Sequence, residues 1–221
     1  MKKEIDSPVV KKYGKDAGAD VVGIASSNEF TSAPEGFRPS DVMKECASVI
    51  VLGISFSRDA FESSSRYTQV RAAVIEKTKA IEKEMVKRIK ADGYKATGIS
   101  STGGRFIDGI GHGAISLKHA AELAGIGIIG RNYLLINPQY GTLLWFTAVI
   151  TDAELVPDER MRFDICDNCN KCVEMCPTGA LKDIAKFGKK GCAKRSFKMV
   201  NKKWEMDCFL CRSVCPYCFG K

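Results

Sequence analysis

No apolar run in this chain approaches the roughly 18 residues that a membrane-crossing helix needs. None follows the opening Met1-Lys2-Lys3-Glu4 as the core of an export leader would, so the sequence reads as cytoplasmic. Internal repeats and low-complexity tracts are missing too, apart from two similar cysteine half-motifs. Histidine is scarce: His112 and His119 are the only two, which leaves few side chains that change charge near neutral pH. Cysteine is nearly absent before Cys166, where Cys46 stands alone beside the apolar run 47–52 and reads as a small buried hydrophobe.

The other nine of the ten cysteines crowd between Cys166 and Cys218. In a reducing compartment such thiols do not pair as disulfides, so metal binding is the chemistry that their density implies. The net charge of +8 is concentrated in the same place. Residues 158–221 carry 14 Lys and Arg against 8 Asp and Glu, while residues 1–157 carry 20 against 18. Thiolate-ligated clusters are anionic, and compensation of that charge is the favoured reading; a surface for an acidic partner or nucleic acid is the other.

With 45% hydrophobic residues in 221, the chain can bury a core. Helical and strand patterns alternate through the first 150 residues, which predicts an α/β domain over 1–157 followed by a cysteine module over 158–221. A helix is expected over 5–18, strands over 20–25 and 48–54, and a long amphipathic helix over 67–91. Val70, Val74, Ile81, Met85 and Ile89 recur along it at helical spacing. A strand near 94–97, a helix over 114–124, a strand over 143–150 and a linker over 151–160 complete the pattern. Tyr67 reads as packing.

The first half-motif is Cys166-x2-Cys169-x2-Cys172-x3-Cys176-Pro177, the spacing in which three thiolates wrap one iron–sulfur cube and the fourth ligates another. Cys208-x2-Cys211-x3-Cys215-Pro216 repeats its ending, and Cys192 lies upstream. Eight thiols suffice for two [4Fe–4S] clusters: Cys166, Cys169, Cys172 and Cys215 for one, Cys176, Cys192, Cys208 and Cys211 for the other. Zinc, the competing metal, favours two separated cysteine pairs instead. Cys215-Pro216-Tyr217-Cys218 also spells a redox C-x-x-C, but Cys215 is needed as a ligand, leaving Cys218 a spare, partly buried thiol.

Gly125-Ile126-Gly127-Ile128-Ile129-Gly130 matches G-x-G-x-x-G, yet it follows a helix and not a strand, which argues against a dinucleotide fingerprint. It predicts a tight loop where absent side chains let the backbone approach something flat or bulky. The wider string, from Ser116-Leu117-Lys118-His119 through this loop to Arg131-Asn132-Tyr133 and Asn137-Pro138-Gln139-Tyr140-Gly141, resembles the signature of epoxyqueuosine reductases and related reductive dehalogenases.

That resemblance implies a nitroreductase-like α/β (α+β) core holding a cobalamin, with an appended ferredoxin-like module of two [4Fe–4S] clusters feeding it electrons. It implies an oxidoreductase served by a low-potential donor such as a ferredoxin or flavodoxin. Gly125, Gly127, Gly130, Arg131 and Asn132 would then bind the cofactor, although Arg131 and Asn132 could equally cap local backbone. A flavin in the core is a further reading, and a non-enzymatic electron carrier the rival one. The reductases place a catalytic acid in a D-S-x-P-like segment, where this chain reads Asp108-Gly109-Ile110-Gly111-His112. His112, with Asp108 behind it, is the candidate proton donor. The chain also stops soon after the second half-motif, without the helical-repeat extension of longer tRNA-reading members, so a small or nucleoside-like substrate is expected beside tRNA.

Overall fold

Apolar residues crowd 48–55 and 144–151, and each run forms an eight-residue strand in the middle of one sheet. The structure, a computed structural model, describes residues 2–102, 104–107, 110–183 and 188–220. Its helices are α1 (Ser7–Asp16), α2 (Pro39–Val42), α3 (Ser64–Ala91), α4 (Leu117–Leu123), α5 (Lys171–Glu174), α6 (Lys189–Ser196) and α7 (Leu210–Ser213). The strands are β1 (Val21–Ser26), β2 (Ser48–Ser55), β3 (Ala96–Ile99), β4 (Arg105–Ile107), β5 (Ile110–His112), β6 (Ile128–Ile129), β7 (Leu135–Ile136), β8 (Leu144–Thr151), β9 (Phe197–Val200) and β10 (Lys203–Met206). The mixed α/β class read from the sequence is the class observed. None of the described helices is long and apolar enough to cross a membrane.

The sheet order is β1-β2-β8-β3, with β1 antiparallel to β2 and β3 antiparallel to β8. β2 and β8 are interior strands covered on both faces, which is why they read as near-continuous apolar runs, whereas the edge strand β3 buries only its ends. In α3 every residue expected on the apolar stripe is buried, together with Tyr67, Ile75 and Thr78. The helix begins three residues earlier than expected. It ends at Ala91, capped by Gly93, whose φ of +91° suits glycine.

The chain separates into two compact units. The first holds Met1–Ser55, Val74–Gly127 and Trp145–Met161; the second holds Phe56–Ala73, Ile128–Leu144 and Arg162–Lys221. The cysteine-rich unit therefore takes in two excursions from the stretch before residue 158, including the first turns of α3. Asp158 itself is tied to the first unit. Its N–H donates to the Ile24 carbonyl at 2.8 Å, and its carboxylate accepts the Ile24 N–H at 2.9 Å and pairs with Lys11. These bonds satisfy the outer edge of β1.

Within the first unit, α4 packs on β1, and its end explains two glycines. Gly125 has φ +66°, its N–H bonds the Glu122 carbonyl at 3.1 Å, and the Ile126 N–H bonds the Ala121 carbonyl at 2.9 Å. This is a Schellman cap, which needs a left-handed residue. Gly125 thus terminates a helix. Beneath it, a Cβ on Gly23 would stand 2.3 Å from the Ala124 carbonyl oxygen, so β1 and the helix end meet only because that side chain is missing. Cys46 is half-buried where full burial was expected; desolvation still pushes its thiol up to about 11.

The second unit has a smaller core of rings. Tyr67 stacks on Phe209 at 4.9 Å between centroids and 6° between planes, and Phe61 meets both Phe209 and Phe219 edge-on. The packing role read for Tyr67 holds, and it clamps the loop between Cys208 and Cys211. Replacing Gly23 by Val should cost about 1–3 kcal/mol through overpacking against the end of α4. Urea unfolding followed by circular dichroism would measure it, as a lower midpoint at unchanged m-value.

Candidate metal centre

Two backbone turns present the first three thiols. The Cys169 N–H bonds the Cys166 carbonyl at 3.1 Å, helped by Asn168 at φ +57°, and α5 then carries Cys172 inward to a buried position. The fourth thiol comes from far along the chain. Cys215 lies just after α7, its N–H bonded to the Arg212 carbonyl at 3.2 Å. Cys166, Cys169, Cys172 and Cys215 line one hollow of about 320 Å³, counting its open mouth, with an apolar collar of Ile136, Ile165 and Pro216. This is the set that the sequence assigns to one cluster, and the structure brings all four together.

Arg131 and Asn132, expected to hold a cofactor, line that same hollow. The Arg131 N–H points at the Cys166 sulfur at 3.5 Å, and its guanidinium binds the Asn170 side chain. Asn132 is buried; its amide donates to the Cys211 carbonyl at 3.1 Å while its side-chain oxygen accepts the Leu134 N–H at 3.1 Å. One side chain therefore spans the two half-motifs. A Cβ on Gly130 would lie 2.5 Å from Ile136 Cδ1, so Gly130 is where the loop makes room for Ile136, with the Cys166 sulfur at ordinary contact distance of 3.4 Å.

Of the other four thiols, three act on one another. Burial chiefly pushes Cys211 up to about 12, with Cys192, Cys208 and Cys172 adding like-charge repulsion. Cys215 is pushed up to about 11, first by burial and then by Cys218, Cys166 and Cys172. Cys176 stands apart: burial opposes it, yet the Thr178 hydroxyl and the amides of Thr178, Ala180 and Leu181 hold it below the usual thiol range. Among the described residues no three His, Cys, Asp or Glu side chains converge on a point that could hold a single metal ion. Cys218 is fully buried and takes a hydrogen bond from the Thr142 hydroxyl at 3.6 Å.

A fit to an anionic group can be tested on Arg212. The residue is only 7% exposed, its guanidinium lies over the Phe56 ring at 5.1 Å, and Nη1 has no hydrogen-bond partner among the described residues. Burying an uncompensated cation is costly. Its charge favours the thiolate form of Cys211 and of Cys218, so an anionic thiolate-ligated cluster would supply the missing counter-charge. The residues present fit such a group.

The remaining candidates lie in the first unit. His112 ends β5 opposite Arg105, half-buried, with its ring 5.8 Å from that of Phe37. Asp108 lies outside the described residues. His119 sits in α4, its Nδ1 at 2.6 Å from the Ser116 hydroxyl, as a local cap would be. Enlarging Gly130 to Val should drive Ile136 or Cys166 away and lower bound iron, while Gly130→Ala should be milder; iron assay of anaerobically reconstituted protein distinguishes them.

Residues 162–182 match the model of a family described as a 4Fe-4S binding domain. An epoxyqueuosine reductase of Listeria monocytogenes is 36% identical over 115 residues, covering 48% of this chain and 30% of the relative. The chain thus spans about a third of that relative's length. The structure of epoxyqueuosine reductase from Streptococcus thermophilus superposes with a TM-score of 0.67 over 96% of this chain and 66% of that one, at 17% identity. A catabolic reductive dehalogenase gives 0.65 over 95% of this chain and 31% of that one, at 22% identity. At such identities the superpositions speak for the fold alone. The chain carries a 4Fe–4S binding domain, is a sequence relative of the epoxyqueuosine reductases, and shares its fold with them and with reductive dehalogenases.

Proposed function

We propose that this protein is an iron–sulfur oxidoreductase that delivers single electrons, through two [4Fe–4S] clusters, to a cofactor in its α/β core. The observation that carries this reading is the convergence of Cys166, Cys169 and Cys172 with the distant Cys215 on one hollow. Cys192, Cys208 and Cys211, with Cys176, complete the second ligand set. When bound, such clusters take up and pass on one electron at a time. The chain's own part is to hold the thiols as two ligand sets, donate the Arg131 N–H to the Cys166 sulfur, and balance charge with buried Arg212.

A corrinoid is the core cofactor we propose, on the resemblance to the reductases. One structural neighbour is a reductive dehalogenase whose chemistry is described as B12-dependent. Gly125, Gly130, Arg131 and Asn132 have fold partners of their own, so no chemical step is derived through the corrinoid. His112 is proposed as the proton donor for a small or nucleoside-like substrate. An epoxyqueuosine reductase structure holds a modified tRNA stem loop, which makes a nucleoside of that kind the first compound to try.

Anaerobically purified protein should contain about eight iron and eight acid-labile sulfide per chain. Cys215→Ser should remove at least one cluster, whereas Cys218→Ser should keep both; the reverse outcome would overturn the ligand assignment. Arg212→Gln should lower the midpoint potential of a cluster, because removing a nearby positive charge disfavours the more negative reduced state, and Arg212→Lys should restore much of it in a spectroscopic redox titration. Where a substrate is found, His112→Ala should slow turnover by at least about tenfold with iron content intact. Equal rates would remove His112 from the chemistry.

A further inference from the structure

The segment that joins two of the proposed ligands is more than a connection. Between Cys192 and Cys208 the chain forms the hairpin β9–β10, whose turn holds Asn201 at φ +48° and Lys202 at φ +62°, the left-handed pair of a tight hairpin turn. Its register sets Phe197 opposite Met206 and Met199 opposite Trp204. Strand alternation places these four side chains on one face. The turn end of that face is open, with Trp204 63% and Met199 53% exposed; at its other end Met206 is half-buried and the Arg71 guanidinium lies 5.8 Å from the Phe197 ring. A two-stranded hairpin cannot bury such a face by itself, and Trp and Met are residues favoured at protein–protein interfaces.

Charge around the face has one sign. Residues 188–207 hold seven Lys and Arg against two Asp and Glu. One of those acids, Asp207, is already paired with both Arg195 and Lys198. Lys190, Lys194, Lys202 and Lys203 are exposed around the hairpin. The hairpin's far end is anchored, the Met206 N–H bonding the Thr68 hydroxyl at 2.9 Å, so the face is presented on a fixed support. Cys192 lies in α6, five residues before β9, and Cys208 two residues after β10.

We infer that the β9–β10 face is the docking surface for an acidic one-electron donor protein, a partner whose negative rim complements the lysines and whose apolar centre covers Trp204 and Met199. This rests on the proposed cluster ligands Cys192 and Cys208. A small apolar centre with a charged rim suits a transient redox encounter, which needs fast, electrostatically steered association more than tight binding. The step at this surface is passage of one electron: the donor is oxidised by one electron, the cluster reduced by one, and no bond is made or broken.

The test uses the full-length, cluster-loaded protein and two reductants: reduced flavodoxin as the acidic protein probe, and dithionite as a small one. Stopped-flow absorbance follows cluster bleaching. With flavodoxin, K202E/K203E and Trp204→Ser should each slow reduction by about tenfold or more at low ionic strength, and added salt should slow the wild type. Dithionite should reduce all three at the same rate with equal iron content. Unchanged flavodoxin rates in both variants would overturn the inference. So would variants that lose affinity for a single-stranded RNA oligonucleotide while keeping their flavodoxin rate, which would make this a nucleic-acid surface. Absence of clusters from the wild type would count against the underlying cluster assignment, whereas loss of iron in a variant alone would mean a disturbed hairpin, and an unchanged flavodoxin rate in Lys202→Gln with iron retained would then overturn the inference.

Discussion

The buried side chain of Asn132 is the constraint on which the metal centre depends. By giving its amide to the Cys211 carbonyl and taking the Leu134 N–H, it ties the strand pair β6–β7 to the second half-motif while lining the hollow of the first. A buried amide with both ends satisfied is stiff, and losing one partner leaves an unpaired polar group in the interior. Cys215 can face Cys166 only if the turn after α7 is held at a fixed distance from the loop of residues 165–172. Asn132 holds that distance from one place in the chain.

Electrostatics follow from the same arrangement. Burial pushes the Cys215 and Cys211 thiols up to about 11 and about 12, so each keeps its proton unless a bound group takes up the negative charge. Arg212, buried with a free Nη1, is the complementary half of that design. The lysines of the hairpin extend the positive field to the surface. The excess charge of residues 158–221 thus divides between an interior share that compensates thiolates and an exterior share that faces solvent.

Much of this was legible from residue order alone. The strands at 48–55 and 144–151 announce themselves as apolar runs, and the stripe of α3 as a periodicity, because burial imposes both patterns locally. The gathering of Cys166, Cys169, Cys172 and Cys215 at one hollow was legible because ligand spacing is itself a chemical constraint. The roles of Gly125, Gly130, Arg131 and Asn132 were not. Gly125 serves a helix cap, a local geometry masked by its chance match to a nucleotide motif; Gly130 turns the strand pair, and Arg131 and Asn132 act on cysteines 35 and 79 residues away in bonds that no local pattern encodes. The assignment of residues 56–73 to the cysteine-rich unit was hidden for a related reason: α3 is one unbroken helix in sequence, and only its ring contacts reveal that its first turns belong elsewhere.

The central claim is that thiols from two remote stretches of chain close around clusters of iron and sulfide. X-ray absorption at the iron edge of anaerobically prepared protein tests it most directly. The expected spectrum shows each iron surrounded by sulfur and, beyond it, a strong scattering contribution from neighbouring iron atoms, which only a polynuclear cluster produces. Iron with sulfur ligands and no iron neighbour, or a zinc edge in its place, would contradict the claim.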